Sequence, residues 1–361
     1  MRTLKNIVLV TAPTIVVMLL LLELFFRFVI PATDPPMSRF DEEERIYSFS
    51  SERETGRTTF GRFAGIKARW RINNMGWNYP VDYHPVREGK LIAVIGDSYI
   101  EAFQVDIDES YPYLLHGMLQ PDYEVYAFGK SGAPLSQYLH MSRYVNRHFD
   151  PDIIVFNIIH NDFDESVREL YPGKSYFMQI DFEKDGSITE TVPRPNYAFP
   201  QYTAWKRIVY KSALFRYLDI NLNVRSWRRR IAGLDTGRYE ANVQPVELMR
   251  NRDIVYRATD YCIGKIAEEN RDRRVIFVFD APKGTIYRNE THESHVLWLH
   301  GMMAELCSKY GMELLDLIPY MENDYASKGI EFNSEIDGHW NEYGHEFVAH
   351  VLYDYLERTS E

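Results

Sequence analysis

Leu91-Ile92-Ala93-Val94-Ile95-Gly96-Asp97-Ser98-Tyr99 is the stretch whose reading decides the fold. Five apolar residues, rich in β-branched types, run straight into Gly-Asp-Ser. This pattern predicts a buried parallel strand ending in a tight turn, with a serine at its carboxyl end. Open α/β sheets bind ligands at the carboxyl ends of their strands, so a serine there is placed to act as a nucleophile. Taken alone it would more often cap a helix. What decides is whether the chain also supplies a base, an orienting acid and oxyanion donors.

Downstream, Tyr111 to Leu119 reads as an amphipathic helix and Glu124 to Phe128 as the next strand, running into Gly129-Lys130-Ser131-Gly132-Ala133-Pro134. Leu135 to His148 is a second helix. Pro151 to Ile159 is a third strand, ending at His160-Asn161-Asp162. Strand–helix–strand–helix–strand is a parallel α/β pattern with right-handed crossovers. Residues 165–248, rich in aromatics and Pro and holding a basic run at Trp227-Arg228-Arg229-Arg230, interrupt it. They read as an insertion, either a lid over the strand ends or a peripheral decoration. The pattern resumes with a helix from Asp253 to Glu269, a strand from Arg274 to Phe279, a helix from Val296 to Tyr310 and a short strand from Glu313 to Leu317. Asp337-Gly338-His339-Trp340-Asn341 opens a final helix to about Leu356. The expected fold is α/β, a three-layer α/β/α sandwich with a mainly parallel central sheet.

Upstream, Ile7 to Ile30 is almost wholly apolar. Its ~24 residues at ~1.5 Å each reach ~36 Å, enough to cross a bilayer. Arg2 and Lys5 precede it, and Asp34, Asp41, Glu42, Glu43 and Glu44 follow. That asymmetry keeps the amino terminus inside and puts the rest of the chain on the extracytoplasmic (periplasmic or cell-surface) side. The run is long for a cleaved signal peptide and lacks a small-x-small cleavage site, so residues 1–31 are expected to be a retained signal anchor. A buried soluble helix is the remaining alternative. Glu23 and Arg27 stand four apart on one helix face, spaced to pair. Residues 32–87 read as a juxtamembrane segment, with a turn at Arg71-Ile72-Asn73-Asn74-Met75-Gly76-Trp77, and residues 88–358 as the catalytic domain.

The net charge of −11 argues against a nucleic-acid partner, which needs a basic face. The 361 residues are 45% hydrophobic, enough for a substantial core. The two cysteines, Cys262 and Cys307, read as buried thiols, with a disulfide as the alternative. His292 and His295 match no zinc signature, and neither a metal nor a cofactor is expected.

Four positions stand at loop ends of core elements: Ser98, Gly132, Asn161, and the pair Asp337 and His339. Gly132 can offer an unobstructed backbone N–H, Asn161 a side-chain N–H, and Ser98 its own N–H at a helix start. Asp337 and His339 are two apart, so both can face one pocket. Asp280, after the fourth strand, is a spare acid. His160 reads equally as a pocket residue or a structural histidine. Asp97, Asp162, Trp340, Asn341, His345 and His350 read as structural.

At these residues the sequence resembles the SGNH (GDSL-type) hydrolase superfamily: Gly96-Asp97-Ser98 is similar to its first block, Ser131-Gly132 to its second, Asn161-Asp162 to its third and Asp337-Gly338-His339 to its last. The resemblance covers about residues 88–165 and 270–358. It implies a flavodoxin-like fold, Ser98 as nucleophile, His339 as base, Asp337 as its orienting acid, and Ser98, Gly132 and Asn161 as the oxyanion hole. It also implies an esterase, without cofactor, acting on an acylated small molecule or carbohydrate. The sequence departs from the family in reading Gly-Asp-Ser-Tyr, in lacking Gly two before Asn161, and in placing one residue between Asp337 and His339 where many esterases have two. The shorter spacing is similar to that of membrane-linked polysaccharide O-acetyltransferases such as the alginate acetylation proteins. Two rivals to hydrolysis therefore stand, a polysaccharide O-acetyltransferase and a catalytically idle glycan-binding domain.

Overall fold

The computed structural model describes residues 2–87, 89–197, 203–222 and 240–359; the basic run at Trp227-Arg228-Arg229-Arg230 lies outside the described residues. The central sheet has five strands: β5 (Lys90–Gly96), β6 (Tyr123–Gly129), β7 (Ile153–Ile158), β10 (Arg274–Phe279) and β11 (Glu313–Asp316). All four pairings are parallel, in the order β6-β5-β7-β10-β11. Val94 of β5 sits in register between Ala127 of β6 and Val155 of β7. Every residue of β7, and all but the first of β5 and β10, is buried or nearly so. Strands covered on both faces have no polar side to alternate with, which is why they read as unbroken apolar runs.

Helices flank the sheet. The helices α3 (Tyr111–Leu119) and α12 (Glu342–Arg358) pack together beside β6, while α4 (Leu135–Phe149), α8 (Arg252–Glu269) and α10 (Leu297–Tyr310) form a second group. The architecture is the expected α/β/α sandwich. In sequence order the strands run 2-1-3-4-5, so the order reverses between β5 and β7. In doubly wound sheets that switch point opens a crevice at the strands' carboxyl ends. Ser98 follows β5 and Asn161 follows β7, so the fold places both at its rim.

The helix α1 (Arg2–Phe28) precedes the domain. Its stretch Leu9–Phe28 has a mean hydropathy of 2.4, is long enough to cross a membrane, and is only 6% buried. The domain does not cover this face, as it would cover the core helix of a soluble protein. Arg27 and Glu23 pair as their spacing predicts. Two antiparallel hairpins follow, β1 (Ser38–Asp41) with β2 (Ile46–Phe49), and β3 (Thr55–Phe60) with β4 (Ile66–Arg71). The turn at Asn73 forms as expected: Asn73 Oδ1 accepts from the Met75 and Trp77 N–H groups, both at 3.0 Å. Just beyond it, Asn78 Nδ2 donates to Glu101 O at 2.7 Å, tying this segment to the helix that starts at Ser98.

The described parts of residues 165–248 go to three places. Residues 165–182, which include β8 (Ile180–Phe182), pack beside Gly132 and Asn161, and β9 (Ile188–Glu190) pairs antiparallel with β8. The helix α6 (Ala213–Arg216) lies against α1, and α5 (Ala204–Val209) leads into it. Residues 240–250, with α7 (Pro245–Arg250), border a cleft described below. Cys262 and Cys307 are both buried and unbonded, which removes the disulfide alternative.

Candidate active site

The turn after β5 is built by Asp97. Its carboxylate caps the single-turn helix α2 (Ser98–Glu101) by accepting from Tyr99 N at 2.9 Å. That turn sets Ser98 at a helix start, at the carboxyl end of the sheet. Close packing holds it there: a Cβ on Gly129, at the end of β6, would come within 2.1 Å of Glu101 N. Only glycine lets β6 pass so near. Glu101, itself buried, accepts from Lys130 Nζ at 2.9 Å and from Ser131 Oγ, locking the loop after β6 to the serine turn.

Across the crevice, Asp337 Oδ1 accepts from His339 N at 2.9 Å and also bonds His339 Nδ1. One intervening residue is enough because the carboxylate folds back over its own turn. His339 Nε2 lies 2.7 Å from Ser98 Oγ. The structure thus brings Ser98 into one hydrogen-bonded line with Asp337 and His339, which lie 239 and 241 positions away in the chain. Burial alone would raise the Asp337 carboxyl, but hydrogen bonding and positive charge from His339 bring it below its ordinary value.

The His339 turn is braced from behind. Tyr99 OH donates to Gly338 O at 3.1 Å, and the Tyr99 ring lies 4.8 Å from that of His339. Lys283, at the start of α9 (Lys283–Tyr287), donates from Nζ to Tyr99 OH at 3.1 Å and pairs with Asp280. Asp280, the spare acid, accepts from Trp340 Nε1 at 3.0 Å. It therefore holds the residue after His339 rather than His339 itself. Asn341 caps α12 by accepting from Gly344 N at 2.8 Å.

Ser98 Oγ also lies 3.1 Å from Asp97 Oδ2, so its single hydrogen has two acceptors, Asp97 and His339. Burial pushes the Asp97 carboxyl up to about 6, against hydrogen bonds from Tyr99 N and Ser98 that favour the charged form. Asp162 is likewise buried and pushed well up, by burial and then by the Asp97 charge. It braces its loop, accepting from Ile159 N at 2.8 Å and Tyr138 OH at 2.9 Å. His160 is buried against His300, with their Nε2 atoms 3.0 Å apart, and burial drives its pKa well down. His345 Nδ1 accepts from Tyr111 N at 3.2 Å inside the core.

Gly132 and Asn161 lie together through two residues the sequence did not single out. Gly132 has φ +74°, a left-handed conformation that favours glycine. Its carbonyl accepts from Lys174 Nζ at 3.0 Å. Asn161 Nδ2 donates to Glu165 Oε2 at 3.0 Å, and Glu165 pairs with Lys174. In this conformation the Asn161 amide is engaged by a carboxylate. Glu165 and Lys174 carry no motif, so only the fold reveals them.

A cleft of about 620 Å³ opens beside this line, reaching Tyr99 and Gly338 at one end. Its walls are mixed: Glu240, Asn242, Arg288, His295, Glu331 and Asn333 stand beside Ile159, Ala281 and Pro282. Among the described residues no cluster of His, Cys, Asp and Glu could hold a metal ion.

No family model and no curated protein matches the chain. Among solved structures it is similar to a member of the lipolytic protein G-D-S-L family from Veillonella parvula DSM 2008, with TM-score 0.41 and 10% identity over 75% of this chain and all of that one. It is similar to the acetyl xylan esterase AlAXEase, with TM-score 0.41 and 13% identity over 74% of this chain and 99% of the other. It is also similar to Est24, a carbohydrate acetylesterase from Sinorhizobium meliloti, with TM-score 0.37 and 11% identity over 75% and 99%.

Proposed function

We propose that the chain is a serine esterase that hydrolyses an O-acyl ester, an acetyl ester on a carbohydrate, through an acyl-Ser98 intermediate. The observation that carries this reading is the 2.7 Å approach of His339 Nε2 to Ser98 Oγ, with Asp337 on the other ring nitrogen.

In the first step Ser98 Oγ attacks the ester carbon and His339 Nε2 takes its proton. Asp337, held charged by its contact with His339, fixes the Nδ1–H tautomer and stabilises the imidazolium. The tetrahedral oxyanion is received by the backbone N–H groups of Ser98 and Gly132 and by Asn161 Nδ2, which exchanges its Glu165 partner for the substrate. The ester C–O bond breaks, and His339 returns the proton to the leaving alcohol. Water then attacks the acyl-serine by the same path, releasing the acid and restoring Ser98.

Two features support a carbohydrate alcohol. The adjoining cleft presents amide, carboxylate, guanidinium and imidazole groups that can bond hydroxyls, beside an apolar wall of Ile159, Ala281 and Pro282 that can meet the face of a sugar ring. The apolar, uncovered α1 supports a retained anchor, and the basic residues before it and acidic ones after it support an extracytoplasmic domain among surface glycans.

Labelling by a fluorophosphonate probe tests the reading. Wild type labels at Ser98, while Ser98→Ala and His339→Ala do not. Absence of labelling in folded wild type leaves the idle glycan-binding domain in its place. A radiolabelled acetyl donor, supplied with and without acceptor glycan, separates water from sugar as the acceptor. Free acetate unchanged by glycan supports hydrolysis, whereas label moving onto the glycan makes the same acyl-serine chemistry an O-acetyl transfer.

A further inference from the structure

We propose that residues 203–216, together with the end of α1, form a second membrane-contacting element that seats in the headgroup layer of a bilayer containing anionic phospholipid. This rests on the reading of α1 as a membrane anchor.

Depth is the first argument. The Glu23 carboxylate of α1 accepts from Ser212 Oγ at 2.8 Å, Ala213 N at 3.0 Å and Leu214 N at 2.9 Å. Arg27 donates to Lys211 O at 3.0 Å. The start of α6 is therefore fixed to α1 at Glu23. The apolar stretch of α1 runs on to Phe28, five residues past Glu23. Five residues of helix rise about 7.5 Å, so Ser212 to Leu214 lie inboard of the level at which the apolar stretch ends. Leu214 borders a shallow recess with Val16, Leu19 and Leu20, still further inboard. Whatever depth α1 takes, this segment takes with it. The same bonds explain how a carboxylate is tolerated within an apolar stretch.

Surface chemistry is the second argument. Trp205 and Ile208, one turn apart on α5, are 69% and 65% exposed. Lys206, Arg207 and Lys211 are interleaved with them. Tryptophan and aliphatic residues among basic ones suit a segment lying in the interface, where apolar side chains reach the acyl boundary and cations meet lipid phosphates.

The third argument is a cleft of about 870 Å³ between this segment, the exit of α1 and the domain body. Six basic residues line it: Arg27, Arg53, Lys130, Arg207, Lys211 and Arg216. The lining also holds the carboxylates of Asp34, Glu52 and Glu101, and Glu23 pairs with Arg27 from outside it, so basic groups outnumber acidic ones by two. Phe49, Phe103 and Ile208 add apolar wall. A cationic cavity with apolar walls, opening where a helix leaves the bilayer, matches the phosphate and glycerol end of an anionic phospholipid.

The test uses the full chain in vesicles, with a nitroxide on Ile208→Cys; the native cysteines are buried and do not compete. Leu19→Cys reports the anchor, and Val86→Cys, at a residue 94% exposed on the domain, reports water. The readout is accessibility to oxygen relative to a water-soluble nickel complex, in phosphatidylcholine alone and mixed with phosphatidylglycerol. The expected result is an Ile208→Cys ratio several-fold above that of Val86→Cys, rising with phosphatidylglycerol. The rise is lost in Arg53→Ala/Lys211→Ala and is not reproduced by inorganic phosphate added to phosphatidylcholine vesicles. Ile208→Cys as wet as Val86→Cys, with Leu19→Cys in lipid, overturns the proposal and leaves the anchor standing. Leu19→Cys in water overturns the anchor itself. Insertion indifferent to phosphatidylglycerol, or driven equally by inorganic phosphate, overturns the assignment of an anionic lipid.

Discussion

Asn161 Nδ2 donates to Glu165 Oε2 at 3.0 Å, so a proposed oxyanion donor is held by a carboxylate. A negative charge near a developing oxyanion opposes it, by about 3 kcal/mol at ~5 Å and an effective dielectric of ~20. Lys174 offsets that charge by pairing with Glu165, and it also fixes the Gly132 carbonyl at 3.0 Å. Lys174→Ala therefore lowers kcat on an aryl acetate by about 10–100-fold, because it leaves Glu165 uncompensated. Glu165→Ala/Lys174→Ala recovers most of that loss, and Glu165→Gln alone stays within a few-fold of wild type. A double-mutant cycle on kcat checks this. Equal losses in Lys174→Ala and the double variant would mean that Lys174 acts only on the Gly132 loop.

Two acids stand near His339, and the structure gives them different partners. Asp337 contacts His339 directly, whereas Asp280 holds Trp340 and Lys283. Asp337→Asn removes the carboxylate that selects the His339 tautomer and lowers kcat by about 10³–10⁴-fold with the fold intact. Asp280→Asn leaves the buried Lys283 without its ion pair. It lowers the unfolding free energy by about 3 kcal/mol and kcat by roughly tenfold or less. Paired measurements of kcat and urea stability distinguish the two. A larger kcat loss in Asp280→Asn than in Asp337→Asn would reverse the assignment.

What was legible in the sequence follows from how local each signal is. The strands β5, β7 and β10 are covered on both faces, so burial alone forces the apolar runs that reveal them. Asp337 and His339 are two apart, and Ser98 follows its strand directly, so the residues themselves display these pairings. Lys174 reaches Gly132 across 42 positions and Glu23 reaches Ser212 across 189, and no periodicity encodes such contacts. For the same reason residues 165–248 read as a single insertion, although their described parts pack in three separate places, beside Gly132 and Asn161, against α1, and along the cleft. Asn161 was legible as an amide at a strand end, but its engagement by Glu165 was not. The helix α11 (Ile318–Lys328) also escaped notice, since it follows β11 after a single residue and buries only Met321 fully.

The buried carboxyl under Ser98 makes stability depend on pH. Burial raises Asp97 from 3.8 to about 6 in the folded chain, and its charge raises Asp162 as well. Between about pH 4 and 6 the folded state then holds more protons than the unfolded one, so stability falls as pH rises through this window. Above it the charged form carries the whole cost, on the order of 3 kcal/mol for two pKa units. Asp97→Asn cannot ionise, still caps α2 as asparagine does well, and relieves Asp162 of a neighbouring charge. Its stability relative to wild type therefore improves by about 2–3 kcal/mol from pH 4 to pH 7.5. Urea unfolding of the full chain in detergent at several pH values measures this difference. Parallel pH profiles for wild type and Asp97→Asn would show that Asp97 stays ionised across the range, with its hydrogen bonds from Tyr99 N and Ser98 Oγ outweighing its burial.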